Sequence, residues 1–307
     1  MLSICIPVYN FDVRALVNDL HRQAEKVLAD FEILLMDDAS RENYRILNRE
    51  CKQLDNVVWI ELEENVGRSR IRNLLAGKAR FSQLIFMDCD SACPDDHYID
   101  RYTPHLDQEG VVYGGRTYRE VTPRDSTLLH WTFGREREAK PASVRSKKPN
   151  ASFMTNNFMI AKAVFQKVEF NEEIHTYGHE DTLFGFELFK KGITIQHTDN
   201  PLVHLDLQIT EDFITKTETA IDNLVKIYRI SGSNPDLRKS VRLLQSWHRL
   251  RIMRLDRLFC ILFQHQRKRI LRNLHSNNPS LFMLDMFKLG TLCTITKQDK
   301  AINSYPD

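Results

Sequence analysis

Hydrophobic positions along the first ninety residues alternate between two rhythms. Short apolar runs at Leu2–Val8, Phe31–Met36, Val57–Leu62 and Leu84–Met87 predict buried strands. Between the first two, Val13, Leu16, Val17, Leu20, Ala24, Val27 and Leu28 share one face of a helix. The small polar run Asp37-Asp38-Ala39-Ser40 suits a turn and the N-cap of a second helix reaching about Leu54. After "ENVG" the pattern predicts a third helix over Arg68–Ala79. Strands and helices alternating at this spacing predict an α/β fold: a mostly parallel, Rossmann-like sheet with helices on both faces.

The pattern then loosens. Val111–Gly115 reads as a strand, and residues 116–150 as a long polar stretch carrying nine Lys or Arg against four acids. Loops of that length inside a compact domain are usually functional or mobile, so a lid and a solvated basic loop are both open readings. "SFMTNNFMIA" reads as a strand returning to the core, and Ile193–Ile195 and Leu202–Leu205 as two further strand-like pieces. "YGHEDTLFGFELFKKG" predicts a turn and a helix ending at Lys190 and Lys191, with Gly192 just past its end. Leu183, Phe184, Phe186, Leu188 and Phe189 make that helix too apolar to face water. From Glu211 the chain reads as helix, broken at "SGSNPD", so we place a boundary between 1–210 and a basic, mostly helical region 211–307.

Composition narrows the class. Hydrophobic content of 42% with 27% charged residues is ordinary for a globular chain of 307 residues. Net charge is only +2, yet between Arg238 and Asn273 there are eleven Lys or Arg and a single acid, Asp256. The remainder is therefore net acidic. Six cysteines without a CxxC pair fit reduced thiols better than a disulfide framework. The first strand starts beside Met1 and no apolar run approaches the roughly 20 residues that span a bilayer, which predicts a cytoplasmic protein.

The chemistry-bearing residues follow the ends of the predicted strands: Tyr9 and Asn10, Asp37 and Asp38, Asn65 and Gly67, Asp88 and Asp90. In open parallel sheets that edge is where ligands bind. No P-loop and no GxGxxG is present, which removes the commonest ATPase and dinucleotide readings. Asp88 and Asp90 suit a hard divalent cation, which would relieve their mutual repulsion; the plainer reading is turn and cap residues before a helix starting near Pro94. Asp95 and Asp96 we assign to the first turn of that helix. The pair Glu180-Asp181 opens the apolar helix, where a carboxylate can act as general base or merely complement the helix dipole. His204 can complete a metal shell or be a structural histidine. His175 and His179 have the i, i+4 spacing of zinc ligands, but Gly178 between them and the lack of HExxH argue against zinc.

Taken together, "ICIPVYN", "LLMDDAS", "ENVGRSRIRN", "FMDCDS" and "YGHEDTLFGFEL", in this order, resemble glycosyltransferase family 2, whose members have the GT-A fold. The resemblance covers about residues 1–205 and implies a nucleotide-binding half, 1–115, and an acceptor and base half, 116–210. It implies an inverting transfer from a nucleotide-sugar donor, UDP-type favoured, to a hydroxyl of a glycan or lipid-linked glycan, assisted by Mn²⁺ or Mg²⁺. By similarity, Pro7 and Tyr9 would line the nucleoside pocket, Asp38 would accept from a uracil-type N3–H, and Gly67 would admit the nucleoside to the backbone. Arg68 and Arg72 would help to hold the donor. Asp90, with Asp88 nearer the ribose and His204 beside it, would form the metal site. Asp181 would be the base and Glu180 would orient the acceptor.

Two other functions compete. A sugar nucleotidyltransferase should carry a glycine-rich basic loop after the first strand, where this chain has "PVYNFD". A non-catalytic protein of the same fold has no need to keep both acid pairs. A phosphatase of the D-x-D-x-[TV] kind fails at Ala92. The basic segment 238–273 fits an amphipathic surface that either packs on the rest of the chain or a second copy, or touches the inner face of the plasma membrane. Without a recognition motif, nucleic acid is the poorer partner.

Overall fold

The computed structural model describes residues 1–123 and 126–298. Positions 124 and 125 of the polar stretch, and the part of the C-terminal helical region beyond 298, lie outside the described residues. The chain divides into two compact units. One is formed by 1–119, 137–175 and 180–206, the other by 120–136, 176–179 and the residues from Leu207 on.

The first unit is built on a seven-stranded sheet. Its order is β3 (Val57–Glu61), β2 (Phe31–Asp37), β1 (Leu2–Val8), β4 (Gln83–Met87), β8 (Asn157–Ala161), β6 (Val111–Tyr113) and β9 (Ile195–His197). All strands are parallel except β8, which runs antiparallel to both β4 and β6. Residues alternate between two buried faces. Ile4, Ile6, Ile33 and Leu35 pack with Leu16, Val17 and Leu20 of α1 (Arg14–Val27). On the other face Cys5, Leu34, Met36 and Phe86 pack with Ile71 and Leu75 of α3 (Arg68–Lys78), Phe165 of α6 (Lys162–Val168) and Phe184 and Leu188 of α7 (Glu180–Lys190). A second helix, α2 (Glu42–Asn48), gives way to a 3-10 turn over Arg49–Gln53.

Helix α7 ends as the sequence predicts. Gly192 takes φ +73°, its N–H reaches Phe189 O, and Ile193 N–H reaches Leu188 O, a Schellman closure. Phe189, however, is 54% exposed. The helix buries one face and leaves Phe189 on the other.

Three further expectations are corrected. Residues 116–150 are not one long loop: they contain β7 (Arg116–Tyr118), α4 (Leu128–Phe133), a π turn over Gly134–Glu138 and α5 (Ala142–Arg145). These elements are too short to carry a readable period. No α-helix starts near Pro94; bends and turns lead to a 3-10 helix over Asp100–His105. Asp95 instead pairs with Arg101 at 2.5 Å, and Asp96 with Arg22 at 2.6 Å.

A small second sheet, β5 (Ser91–Ala92), β10 (Leu202–His204) and β7, joins segments from three parts of the first unit. The second unit is helical: α4 with α8 (Thr210–Ile230), α9 (Pro235–Ser240), α10 (Arg242–Ile252), α11 (Asp256–Leu274) and α12 (Leu281–Gln298). Asn234 caps α9, accepting from the backbone N–H of Asp236 and Leu237 ahead of Pro235 at the first helical position. Phe213, Phe263, Leu274, Leu284 and Phe287 lie in its core. Among the described residues no helix is long and apolar enough to cross a membrane.

Candidate active site

Strand order reverses between β1 and β4, and their pairing stops at Cys5 and Phe86 while β1 continues to Val8. Pro7 therefore sits beyond the β4 ladder, where its missing N–H breaks no bond on that side. Tyr9, just past the strand end, is 52% exposed. Asn10, at φ +49°, is pinned to the end of β2 in both directions: its N–H donates to Ser40 Oγ at 2.8 Å, and its Oδ1 accepts from Arg41 N–H at 2.9 Å.

Asp38 follows β2 and is buried. Its Oδ1 accepts from Val66 N–H at 2.7 Å and its Oδ2 from Gly67 N–H at 3.2 Å. Burial raises its pKa, and those two N–H groups act against the rise. Gly67 caps α3 at φ +82°, and a Cβ there would lie 3.1 Å from His175 O. Both features favour glycine.

From Gly67 the helix presents Arg68 and Arg72 one turn apart. Arg72 is almost wholly buried and its Nη2 donates to Asp88 Oδ1 at 2.8 Å. Its Nη1 lies 3.8 Å from Glu180 Oε1, and Arg68 Nη1 reaches the same oxygen at 3.0 Å. One guanidinium thus joins the end of β4 to the start of α7, bringing together Arg68, Arg72, Asp88 and Glu180. The other oxygen of Asp88 accepts from Arg116 Nη2 at 3.1 Å, and Arg116 also pairs with Glu138 at 3.3 Å. Tyr118 donates to the same Glu138 oxygen.

Glu180 and Asp181 are adjacent but electrostatically different. Burial would raise the pKa of Glu180, but Arg68 and Arg72 overcome it and hold the carboxyl below its usual range. For Asp181, half-buried, burial first and then the Glu180 charge outweigh the charge of Arg68 and push the pKa up to about 7. Its Oδ1 accepts from Thr182 N–H at 2.6 Å, which only partly offsets that rise. Environments that drive two neighbouring acids apart in this way commonly separate an ionised anchor from a proton acceptor.

Asp90 and His204 meet through the small sheet. Ser91, immediately after Asp90, is in register with His204 on β10, which sets His204 Nδ1 3.4 Å from Asp90 Oδ1. Asp90 Oδ1 is buried and makes no hydrogen bond. The pKa of Asp90 is held low despite burial, because the neighbouring His204 and the Arg116 and Arg68 charges outweigh it. Among the described residues no group of three or more His, Cys, Asp or Glu is arranged to hold a metal. Asp88 carries one guanidinium on each carboxylate oxygen, whereas Asp90 and His204 face each other across the small sheet. An oxygen and an imidazole nitrogen remain, a donor set that fits Mn²⁺ or Mg²⁺ sharing its other positions with phosphate and water.

Arg116, Glu138 and Asn157 belong to no motif in the sequence. Arg116 lay unmarked among the nine cations of the polar stretch. Asn157, fully buried, accepts from both Tyr98 and Tyr102 hydroxyls at 2.7 Å and donates to Gly115 O and Asn200 O at 2.9 and 2.7 Å. "TNNF" inside an apolar run was the available signal, since a buried amide in a strand needs partners.

Known proteins share this architecture. The family model for glycosyl transferase family 2 matches residues 3–168, more than half of the chain. Chondroitin synthase of Escherichia coli is 23% identical over 66% of this chain and 34% of its own length. Hyaluronan synthase of Pasteurella multocida is 24% identical over 66% of this chain and 24% of its own. The chain thus spans about a third or less of these relatives. Among solved structures, mannosyltransferase PcManGT from Pyrobaculum calidifontis, in complex with GDP-Man and Mn²⁺, has a TM-score of 0.63 at 13% identity, covering 97% of this chain and 87% of that one. TarS 1-349 of S. aureus has a TM-score of 0.51 at 15% identity, covering 97% of this chain and 92% of that one. At such identity the likeness bears on the fold, which is GT-A.

Proposed function

We propose, from the premise that the chain belongs to glycosyl transferase family 2, that it transfers a sugar from a nucleoside diphosphate to a hydroxyl of a glycan with inversion at the anomeric carbon. The observation that carries this reading is Arg72, whose one guanidinium ties Asp88 at the end of β4 to Glu180 at the head of α7. It draws the carboxylate after β4 and the acid pair of α7 into one site.

Asp181 is the base in this reading. It takes the acceptor hydroxyl proton as that oxygen bonds to the anomeric carbon. The bond from that carbon to the phosphate oxygen breaks on the opposite side, and nucleoside diphosphate leaves with the electron pair. A single displacement inverts the configuration. Glu180, kept ionised by Arg68 and Arg72, orients the acceptor through its remaining lone pairs. Tyr9 offers an exposed ring to the nucleobase. Each Asp38 oxygen already accepts one backbone N–H and keeps a lone pair for an imide N–H, which favours a uracil-type base. Pro7 and Gly67 border that pocket. Asp90 and His204 would hold a divalent cation, which when bound supplies positive charge where negative charge develops on the departing diphosphate. The names of the curated relatives, chondroitin and hyaluronan synthases, support a polysaccharide acceptor.

The test is a panel of UDP- and GDP-sugars with Mn²⁺ or Mg²⁺, read by release of nucleoside diphosphate and by donor binding. Asp181→Asn should bind donor as the wild type does and lose transfer by about 10²–10⁴-fold. Near-normal transfer by that variant would refute the base assignment. Pyrophosphate as product would refute glycosyl transfer altogether.

A further inference from the structure

Helix α11 carries two apolar stripes where folding needs one. Cys260, Phe263, Ile270 and Leu274 are buried along one face. By helical period Leu258, Ile261 and Leu262 lie on the opposite face, and they are 53, 51 and 55% exposed. His265, Arg269 and Arg272 continue the same stripe toward the C-terminus, and all three are exposed. The turn entering the helix adds Ile252, Met253 and Leu255 at 60, 64 and 38% exposure, with exposed Arg254 and Arg257 among them. Beside this ridge, and sharing Leu262 with it, an apolar cavity of about 350 Å³ is lined by Phe259, Phe263, Ile270, Met283 and Met286, with Arg269 among its lining residues.

Six large aliphatic side chains exposed within eleven residues are far from the scattered exposure of an ordinary surface. We propose that this α10–α11 face docks on an anionic lipid bilayer, its aliphatic ridge entering the headgroup boundary and its arginines meeting lipid phosphates. Charge selects the occupant. Asp256 is the single acid between Arg238 and Asn273. A two-fold pairing of this face with a second copy would set arginine against arginine. The exposed residues of the ridge are aliphatic, without the Tyr and Trp that anchor protein interfaces. A bilayer accepts both parts of the pattern, the apolar body and the cationic rim. Arg267 is excluded from the contact set because Glu218 holds it at 3.1 Å. The inference is independent of the transfer chemistry.

Flotation of the full chain with phosphatidylcholine vesicles, with and without phosphatidylglycerol, tests it. Binding should require phosphatidylglycerol and weaken as salt rises. Arg269→Gln and Arg272→Gln should each lower vesicle affinity about fivefold. Ile261→Asn combined with Leu262→Asn should reduce it at least tenfold with an unchanged melting temperature, since both positions are exposed. No binding to phosphatidylglycerol vesicles, or equal binding to neutral ones, overturns the proposal. So does a double variant that floats like the wild type, or one that dissociates a dimer while its vesicle binding is unchanged.

Discussion

In the proposed reaction Asp181 would be two things at once, a base at neutral pH and a half-buried side chain. Burial and the Glu180 charge push its pKa up to about 7, so the fold is charged for its ionisation. A carboxyl with a raised folded pKa favours the fold while protonated. That contribution fades as pH rises from the unfolded value near 4 through about 7. Asp181→Asn should therefore stabilise the protein above pH 7, by about 2–4 kcal/mol, and do little below pH 4. Denaturant titrations at the two pH values check this. Transfer by the wild type should rise with pH through about 7 as the base ionises. Glu180→Gln removes the neighbouring charge, so the acid limb of its pH–rate profile should move to lower pH; a limb that stays in place would mean that Glu180 does not tune Asp181. Arg72 is the complementary case. Arg72→Ala would strip a buried cation from Asp88 and Glu180 together, with an expected loss of about 3–5 kcal/mol in urea denaturation.

Strand β8 ties the parallel strands β1 to β4 to the last two strands of the sheet, because it pairs with β4 on one side and β6 on the other. Its polar residue, Asn157, serves two tyrosine hydroxyls and two carbonyls. Removing a hub of that kind leaves buried donors and acceptors unmade. Asn157→Ala should cost about 3 kcal/mol or more of unfolding free energy, whereas Gln108→Ala on the exposed turn before β6 should change it little. This element also marks where legibility ends. The run that becomes β8 is readable as a strand, but an apolar run carries no direction, so its antiparallel setting is not. The parallel half was legible because β1, β2 and β4 are apolar runs buried on both faces, and the helix between β1 and β2 keeps a clear period. The polar stretch was opaque for the opposite reason. Arg116 acquires its role only when β7 pairs with β10 and faces Asp88, a contact made across 28 positions of chain. Asp38 and the Glu180-Asp181 pair were readable as candidates from their place at element ends. That Asp88 would be taken by two arginines was not, since a D-x-D spacing says nothing about cations arriving from elsewhere.

Across the whole chain, charge and function divide along the same line as the contacts. The carboxylates that would handle donor and acceptor lie in the first unit, on the loops after β2 and β4 and at the start of α7; the basic aliphatic face lies in the second, on α10 and α11. A ligand that binds only the folded first unit lowers the opening of the segments it touches. Hydrogen exchange with UDP and Mn²⁺ together should thus slow at residues 8–10, 37–40, 65–68 and 88–90. Exchange in residues 242–274 should be unchanged. Neither ligand alone should match the pair, because Asp90 and His204 would supply two donors and leave a cation dependent on phosphate for its remaining ligands. Asp90→Asn should abolish that synergy while leaving the Mn²⁺-independent part of nucleotide binding through Asp38 and Gly67. Protection that appears in α10 and α11 instead would place nucleotide binding in the second unit and reverse this division of labour.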